Sequence, residues 1–136
     1  MSQENIESLR QGFAEFAQGD IDALLERFDP DIDWHSAFVP ILGLETIRGR
    51  EAMRRFLTRD LFEEGFDQFR AEPLSYEDLG DDHVLVMTRY AVRGKSSGIE
   101  MDQTFAALYE LREGKAVTMR DYPTRAEALE AAGLSE

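Results

Sequence analysis

Apolar residues in the first half of the chain recur mainly at three- and four-residue steps, the spacing of helices that bury one face. The first such run covers residues 6–17 and ends at Gly19. A second covers 21–28, directly after Asp20, whose side chain can cap a helix. A third covers 53–61. This pattern predicts three helices in the N-terminal half.

Alternating apolar and polar positions, the period of a half-buried strand, dominate the rest of the chain. The predicted strands are 32–37, 67–78, 83–93, 100–111 and 115–122. Pro73 cannot donate a ladder hydrogen bond, so its strand is irregular or lies at a sheet edge. Glu113 and Gly114 fit a two-residue hairpin. Thr124 and Glu127 have the spacing of a capping box, which predicts a short final helix.

Helices collected ahead of an antiparallel meander indicate an α+β fold. We expect a cone-shaped roll, in which a curved, mainly antiparallel mixed sheet of six strands or slightly fewer packs against the three N-terminal-half helices. A short C-terminal helix completes it. With 136 residues, the chain corresponds to a single domain, 1–136. A strongly curved sheet leaves a hollow beneath its helices, where small ligands tend to bind.

The charge balance narrows the classes of partner. Fifteen Lys and Arg against 28 Asp and Glu give a net charge of −13, which repels nucleic-acid phosphates and anionic membranes. The chain has no cysteine and only two histidines, without metal-ligand spacing, so we expect no metal site. A length of 136 residues matches one cone domain and leaves no residues for a cofactor module, so we also expect no cofactor. No leader pattern and no stretch near 18 apolar residues is found, which favours a cytoplasmic location.

Four segments carry a family resemblance beyond these patterns. They are 19–24, the strand with Trp34, the turn 48–52 into a helix, and the ending 125–134. With the order of elements, they resemble the SnoaL-like proteins of the nuclear transport factor 2-like superfamily. The resemblance spans essentially the whole chain and implies the cone-shaped fold. It implies less about activity, because members include ketosteroid isomerases, limonene epoxide hydrolases, polyketide cyclases and proteins with no known reaction.

The resemblance to limonene epoxide hydrolases can be carried over residue by residue. Those enzymes activate water with an Asp–Arg–Asp set assisted by a Tyr and an Asn. Asp121 matches one aspartate, whereas Tyr90 and Thr88 occupy the positions of the second aspartate and the arginine. Trp34 and Ser36 occupy those of the Tyr and the Asn. One carboxylate of the catalytic set is therefore retained.

Comparison with ketosteroid isomerases and with polyketide cyclases adds no further catalytic residue to Asp121. The general base and the two oxyanion-hole residues of ketosteroid isomerases fall at Ser36, Gly12 and Ala107, none of which can perform those roles. SnoaL-type polyketide cyclases are thought to need little more than one acidic residue and a shaped pocket, which is compatible with Asp121. As an enzyme, the protein would be a cofactor-independent isomerase, cyclase or epoxide-hydrolase-like hydrolase.

Asp121 also stands out without any family. It closes an apolar row with Val117 and Met119 near a strand end. On a concave face, burial would raise its pKa and suit it to general acid–base catalysis. The structural alternative is that Asp121 caps the backbone before Pro123 or pairs with a nearby arginine.

Four residues alternate onto the same face as Asp121 and complete the predicted site: Trp34, Ser36, Thr88 and Tyr90. Trp34 and Tyr90 would line an aromatic pocket for a small, mostly apolar molecule, with Ser36 and Thr88 as hydrogen-bonding groups. Plain core packing is the alternative. A buried phenol needs a partner, and Asp121 is the candidate for Tyr90. The protein is then either a small enzyme or a non-catalytic ligand-binding or stress-related accessory protein.

The opposite, outer face of the sheet carries His35 and a group of apolar residues: Leu85, Met87, Leu108 and Tyr122. That is more apolar surface than a monomer usually exposes. We therefore expect a homodimer through the outer sheet face.

Overall fold

The computed structural model describes residues 2–44 and 46–134. Its helices are α1 (Ser2–Gln18), α2 (Ile21–Leu25), α3 (Phe38–Ile41), α4 (Arg50–Arg55) and α5 (Arg125–Ala131). Its strands are β1 (Phe28–His35), β2 (Ile47–Arg48), β3 (Phe66–Gly80), β4 (His83–Gly94), β5 (Glu100–Arg112) and β6 (Lys115–Tyr122). Between α4 and β3 the chain continues as a π-helical segment, Phe56–Gly65.

The strands form one six-stranded mixed sheet in the order β2-β1-β6-β5-β4-β3. Only the pairing of β1 with β6 is parallel, and the other neighbours are antiparallel. The predicted cone-shaped α+β architecture is confirmed. Strand β3 lies at the edge, and its register shifts between Pro73 and Ser75, as the proline predicts.

The turn and cap predictions are also confirmed. Glu113 (φ 52°) and Gly114 (φ 77°) both have positive φ, the requirement of a tight type I′ hairpin. Asp20 Oδ1 accepts the Ala23 amide at 3.3 Å and begins α2. Thr124 Oγ1 accepts the Glu127 amide at 3.2 Å and begins α5.

The sequence prediction is wrong at the end of the second helix. Helix α2 ends at Leu25, and Phe28 begins β1, where it pairs in parallel with Ala116. An apolar residue at this spacing fits either a helix face or a strand, and the pairing with β6 decides between them. The segment 38–49, which lies outside the predicted helices and strands, contains α3 and β2.

The two faces of the sheet are covered differently. The inner face packs against α1, α2 and the π-helical segment around the main core. On the outer face, Ala128 and Leu129 of α5 pack against Leu85 and Ala106, and all four are buried. The C-terminal helix therefore covers part of the surface that the sequence suggested was exposed, and Leu85 is only 1% accessible in a single chain.

None of the described helices is long and apolar enough to cross a membrane.

Candidate functional site

A cavity of about 80 Å³ lies between the inner sheet face and the helices. Its wall is almost wholly apolar, with contributions from α1, α2, the π-helical segment and all the long strands. The lining residues are Ser8, Leu9, Gly12, Phe13, Phe16, Leu24, Arg27, Phe28, Trp34, Phe56, Leu57, Leu61, Phe69, Ala71, Tyr90, Tyr109, Leu111 and Ala116. The apolar lining with few polar groups matches that of small-molecule sites, whereas the volume is below the usual range of about 300–1,000 Å³.

Polar contacts hold α1 over this cavity. The buried Asn5 donates from Nδ2 to Asp82 Oδ1 at 3.0 Å. Ser8 donates from Oγ to the Gly114 carbonyl at 2.6 Å. These bonds attach α1 to the β3–β4 and β5–β6 hairpins, so the helix closes one side of the cavity.

The charged residue of the described wall, Arg27, is already paired. Its Nε and Nη2 donate to the two carboxylate oxygens of Glu15 at 2.7 and 2.8 Å, and Nη2 also donates to Gln11 Oε1 at 2.6 Å. The Glu15 hydrogen bond, partly offset by burial, raises the pKa of Arg27 above its usual value. A bidentate pair of this kind leaves little positive charge for an anionic ligand.

Trp34 and Tyr90 both lie in the cavity wall. The indole of Trp34 meets Phe28 edge to face at 5.5 Å and Tyr109 at 6.1 Å between ring centroids. The ring of Tyr90 meets Phe38 at 4.9 Å and Phe69 at 5.8 Å. These contacts fix both side chains, because edge-to-face aromatic pairs have preferred geometries.

Asp121 lies on the inner face of β6, opposite Ala107 of β5. Its Oδ2 accepts the Ala37 amide at 2.9 Å, while its Oδ1 is buried and has no hydrogen-bond partner among the described residues. Burial raises the pKa of Asp121 to about 6, against the opposing effects of the Ala37 amide and the Ser36 side chain. One carboxylate oxygen thus binds the backbone of a distant segment, not the backbone before Pro123, and the other is unpaired.

Two buried phenols lie close enough to Asp121 to respond to its charge. Burial, then the Asp121 carboxylate, raise the pKa of Tyr90 and of Tyr109 well above the usual value. The predicted hydrogen bond between Tyr90 and Asp121 is not formed, because Oδ1 is unpaired and Oδ2 is held by Ala37. Both phenols therefore remain protonated across the physiological pH range.

The predicted residues do not all meet at one surface. Trp34 and Tyr90 line the cavity, but Asp121 is not among its lining residues. Ser36 is buried, and its Oγ accepts the Phe38 amide at 3.1 Å. Thr88 is buried too and donates to the Val86 carbonyl at 3.1 Å. Ser36 and Thr88 bond to local backbone, and neither is in the described wall. The Ser36 side chain also lies close enough to Asp121 to lower the pKa of its carboxyl group.

Sequence reasoning missed Tyr109, which is central to the wall. It alternates with Ala107 on β5 and so shares the inner face, a signal that the period of two carries. The sequence prediction also missed Ala116, because the register shift between Glu110 and Leu111 of β5 interrupts the alternation of β6. Ala116 is buried in the cavity wall, and Val117, expected in the apolar row of Asp121, is only half-buried.

Asp33 of β1 lies on the outer face, where its neighbours differ from those of Asp121. Asp33 Oδ2 lies 3.0 Å from His35 Nε2 and 3.6 Å from Arg48 Nη2. Burial alone would raise the pKa of Asp33, but the His35 hydrogen bond and the charges of His35, Arg48 and Arg120 hold it below the usual value. Within the described ranges, no three His, Cys, Asp or Glu side chains are placed to hold a metal ion.

The structure is an α+β cone with a small apolar cavity beneath its helices. The sequence profile of the SnoaL-like domain matches residues 9–119, and the chain belongs to the SnoaL-like domain family. A comparison with curated proteins gave no significant match.

Solved structures agree with this assignment across nearly the whole chain. An NTF2-like protein of unknown function from Burkholderia pseudomallei is 22% identical, with a TM-score of 0.77 over 96% of this chain and 97% of that one. TerC, co-crystallised with polyporic acid, is 25% identical, with a TM-score of 0.75 over 93% and 96%. SalBIII, an epoxide hydrolase/cyclase-like enzyme of pyran ring formation in salinomycin, is 19% identical, with a TM-score of 0.72 over 92% and 95%. Likeness at this level shows that the chain shares the fold of these proteins.

Proposed function

We propose that this protein binds a small, mostly apolar molecule in the inner cavity and acts on it without a cofactor, as an isomerase, cyclase or hydrolase. Asp121 is the general acid–base of this proposal. The observation that carries it is a buried carboxylate with one unpaired oxygen, next to an apolar cavity that two phenols line.

The chemistry follows from the environment of Asp121. A pKa of about 6 leaves the group mostly ionised at neutral pH yet basic enough to take a proton from water or an acidic C–H. Its Oδ1 is the site for that proton, because Oδ2 is held by the Ala37 amide. The same oxygen then returns the proton to the product, so the group ends in its starting state.

Two of the similar structures support a reaction or ligand of this kind. TerC was crystallised with polyporic acid, and SalBIII is described as epoxide hydrolase/cyclase-like. Both are 25% identical or less, so they bear on the class of ligand and not on its identity.

A specific observation favours a second candidate, a non-catalytic ligand-binding or accessory protein. Asp121 is not part of the described cavity wall. Catalysis therefore requires a ligand that reaches the carboxylate beside Tyr90 and Tyr109. In the second candidate, the cavity binds its molecule and Asp121 only holds the start of α3 through Ala37.

Turnover by the Asp121→Asn variant separates the two candidates. The amide is nearly isosteric and can still accept from Ala37, but it cannot act as a base. With a panel of epoxides, enones and polyketide esters, we expect the variant to lose at least about a hundredfold in kcat, the lower range for a lost acid–base group, with ligand affinity kept.

Asp33→Asn is the matched control, since Asp33 is also a strand aspartate with an unpaired buried oxygen but lies on the outer face. Its kcat should equal that of the wild type. Equal turnover by the Asp121→Asn variant would reject the catalytic role. Saturable binding with no turnover across the panel would support the accessory protein instead.

We also propose that the protein forms a homodimer through the outer sheet face. Helix α5 covers Leu85, but Met87, Leu108 and Tyr122 beside it remain partly accessible. Light scattering at micromolar concentration tests this proposal, and a monomer would reject it. The cytoplasmic location inferred from the sequence also remains a proposal.

A further inference from the structure

The hydroxyls of Tyr90 and Tyr109 are polar groups of the cavity wall that have no protein partner. Neither forms a hydrogen bond to a described residue, yet neither is one of the fully enclosed unpaired oxygens, which belong to Asp33, Tyr76 and Asp121. Each hydroxyl therefore keeps some accessible surface. Both side chains are buried and line the cavity, so that surface faces the cavity.

The two phenols reach the cavity from different ends of the sheet. Tyr90 of β4 lies opposite Gln103, whereas Tyr109 of β5 lies opposite Val84, six residues from Tyr90 along β4. Six residues of a strand span roughly 20 Å. Aromatic neighbours hold both rings in place. A molecule that fills the cavity therefore meets a hydroxyl at either end.

The charges around the cavity favour a neutral partner for these hydroxyls. Burial and the nearby Asp121 carboxylate keep both phenols protonated, so each can donate a hydrogen bond. The same carboxylate would repel an ionised oxygen of a ligand. Arg27, the charged residue of the described wall, is paired with Glu15 and offers no free positive charge. An anionic ligand is therefore disfavoured.

We infer that the hydroxyls of Tyr90 and Tyr109 donate hydrogen bonds to neutral oxygen atoms of the bound molecule. The ligand class is then a small apolar molecule that carries hydroxyl or carbonyl oxygens. A hydrocarbon of the same shape would cover both hydroxyls and leave them without a partner, which costs binding free energy. This inference rests on the proposed binding function and identifies the ligand class of the same cavity.

Probes matched in shape test this inference on the unmodified protein. They must be small, because the cavity volume is about 80 Å³. Phenol and toluene share one ring and differ in a hydroxyl against a methyl group, and benzoate supplies the ionised comparison. Calorimetric titration at pH 7 gives the affinity of each probe. We expect phenol and toluene to bind, and benzoate to bind more weakly than phenol.

Removal of each hydroxyl isolates its contribution. In Tyr90→Phe and in Tyr109→Phe, the affinity ratio of phenol to toluene should fall about three- to tenfold, the range of one neutral hydrogen bond. The affinity for toluene itself should stay constant or rise, because the wall becomes more apolar. Tyr76→Phe is the matched control, since it deletes a hydroxyl that is fully enclosed and outside the described wall. Its affinity ratio should equal that of the wild type.

The outcomes separate this inference from the proposed function. An unchanged affinity ratio in both wall variants would overturn the donor role and show that water satisfies the two hydroxyls. A fall in one variant alone would overturn the role of the other tyrosine, and tighter binding of benzoate than of phenol would overturn the neutral ligand class. Saturable binding of toluene would leave the proposed cavity function intact in all these cases. Absence of saturable binding by every probe would instead count against that function, and this inference would fall with it.

Discussion

Asp33 and Asp121 lie on neighbouring parallel strands but on opposite faces of the sheet, and their acidities move in opposite directions. On the outer face, His35, Arg48 and Arg120 outweigh the burial of Asp33 and lower its pKa. On the inner face, no cation offsets burial among the causes that act on Asp121, and its pKa rises to about 6. The same residue type is a structural ion-pair partner on one face and a candidate acid–base on the other. The pKa of each aspartate therefore depends on the face it occupies, because the two faces differ in dielectric environment and in neighbouring charges.

The two faces of the sheet are also packed differently. The inner face depends on aromatic packing around Phe38, which is fully buried and contacts Phe66, Phe69, Tyr90 and Phe105. Away from α5, the outer face carries exposed ion pairs, such as Arg89 with Asp102. Hydrophobic packing of this kind outweighs exposed ion pairs in stability.

The largest expected effect is therefore on the inner face. Phe38→Ala should reduce the free energy of unfolding by about 3–5 kcal/mol, the usual cost of deleting a buried aromatic ring. Arg89→Gln should leave the urea midpoint unchanged, because solvent screens its pairs. Urea denaturation followed by circular dichroism measures both. If Arg89→Gln reduced the free energy of unfolding as much as Phe38→Ala does, the two faces would not differ in their contribution to stability.

The next effect concerns the two aspartates and depends on pH. Because the pKa of Asp121 is raised in the folded state, the folded protein binds the proton more tightly, and this group lowers stability as pH rises from about 4 to about 6. A tenfold difference in proton affinity corresponds to about 1.4 kcal/mol, so Asp121→Asn should be more stable than the wild type by up to about 3 kcal/mol at pH 7. The difference should vanish below about pH 4.

Asp33→Asn should behave in the opposite sense. The pKa of Asp33 is lowered in the folded state, so this group contributes stability that is present above its unfolded pKa and is lost as pH falls. The variant should be less stable than the wild type at neutral pH, with a difference that shrinks in acid. Urea midpoints from pH 3 to pH 8 give the stability of both variants relative to the wild type. If Asp121→Asn and Asp33→Asn changed stability in the same direction at neutral pH, the opposite pKa shifts of the two aspartates would be contradicted.

The smallest expected effect on stability and ligand affinity comes from filling space in the cavity at Gly12. Gly12 is a buried glycine within α1, and a Cβ there would meet Leu24 Cδ1 at 3.4 Å and Arg27 Cδ at 3.5 Å, ordinary contact distances. Gly12→Ala should stabilise the protein by about 0.5–1 kcal/mol through helix propensity. Because Gly12 lines the cavity, the added methyl should also weaken, by a few-fold, the binding of a small aromatic probe such as acetophenone.

The exposed Ala14 on the same helix supplies the control for Gly12. Ala14→Gly should lower stability by a similar amount and leave ligand affinity unaltered, since Ala14 is outside the described cavity wall. Thermal unfolding and calorimetric titration measure the two quantities. An unchanged affinity in Gly12→Ala would show that the ligand does not occupy the space beneath α1.

Local signals in the sequence were enough to predict the α+β class, the order of the long elements and the inward faces of the strands, because hydrophobic periodicity, caps and turn residues act over short distances along the chain. They therefore identified Asp121, Trp34 and Tyr90 as inward residues. They did not reveal the register shift that brings Ala116 into the wall, the pairing that makes Phe28 a strand residue, or the docking of α5 over Leu85.

Those features depend on contacts between distant segments, which exist only once the chain has folded. The same is true of the site itself. Strand alternation places Asp121 on the cavity side of the sheet, but only the packing of β1, β5 and β6 leaves its Oδ1 unpaired and the Trp34 N–H without a partner among the described residues. Burial is a property of the assembled cone, and it raises the pKa of Asp121.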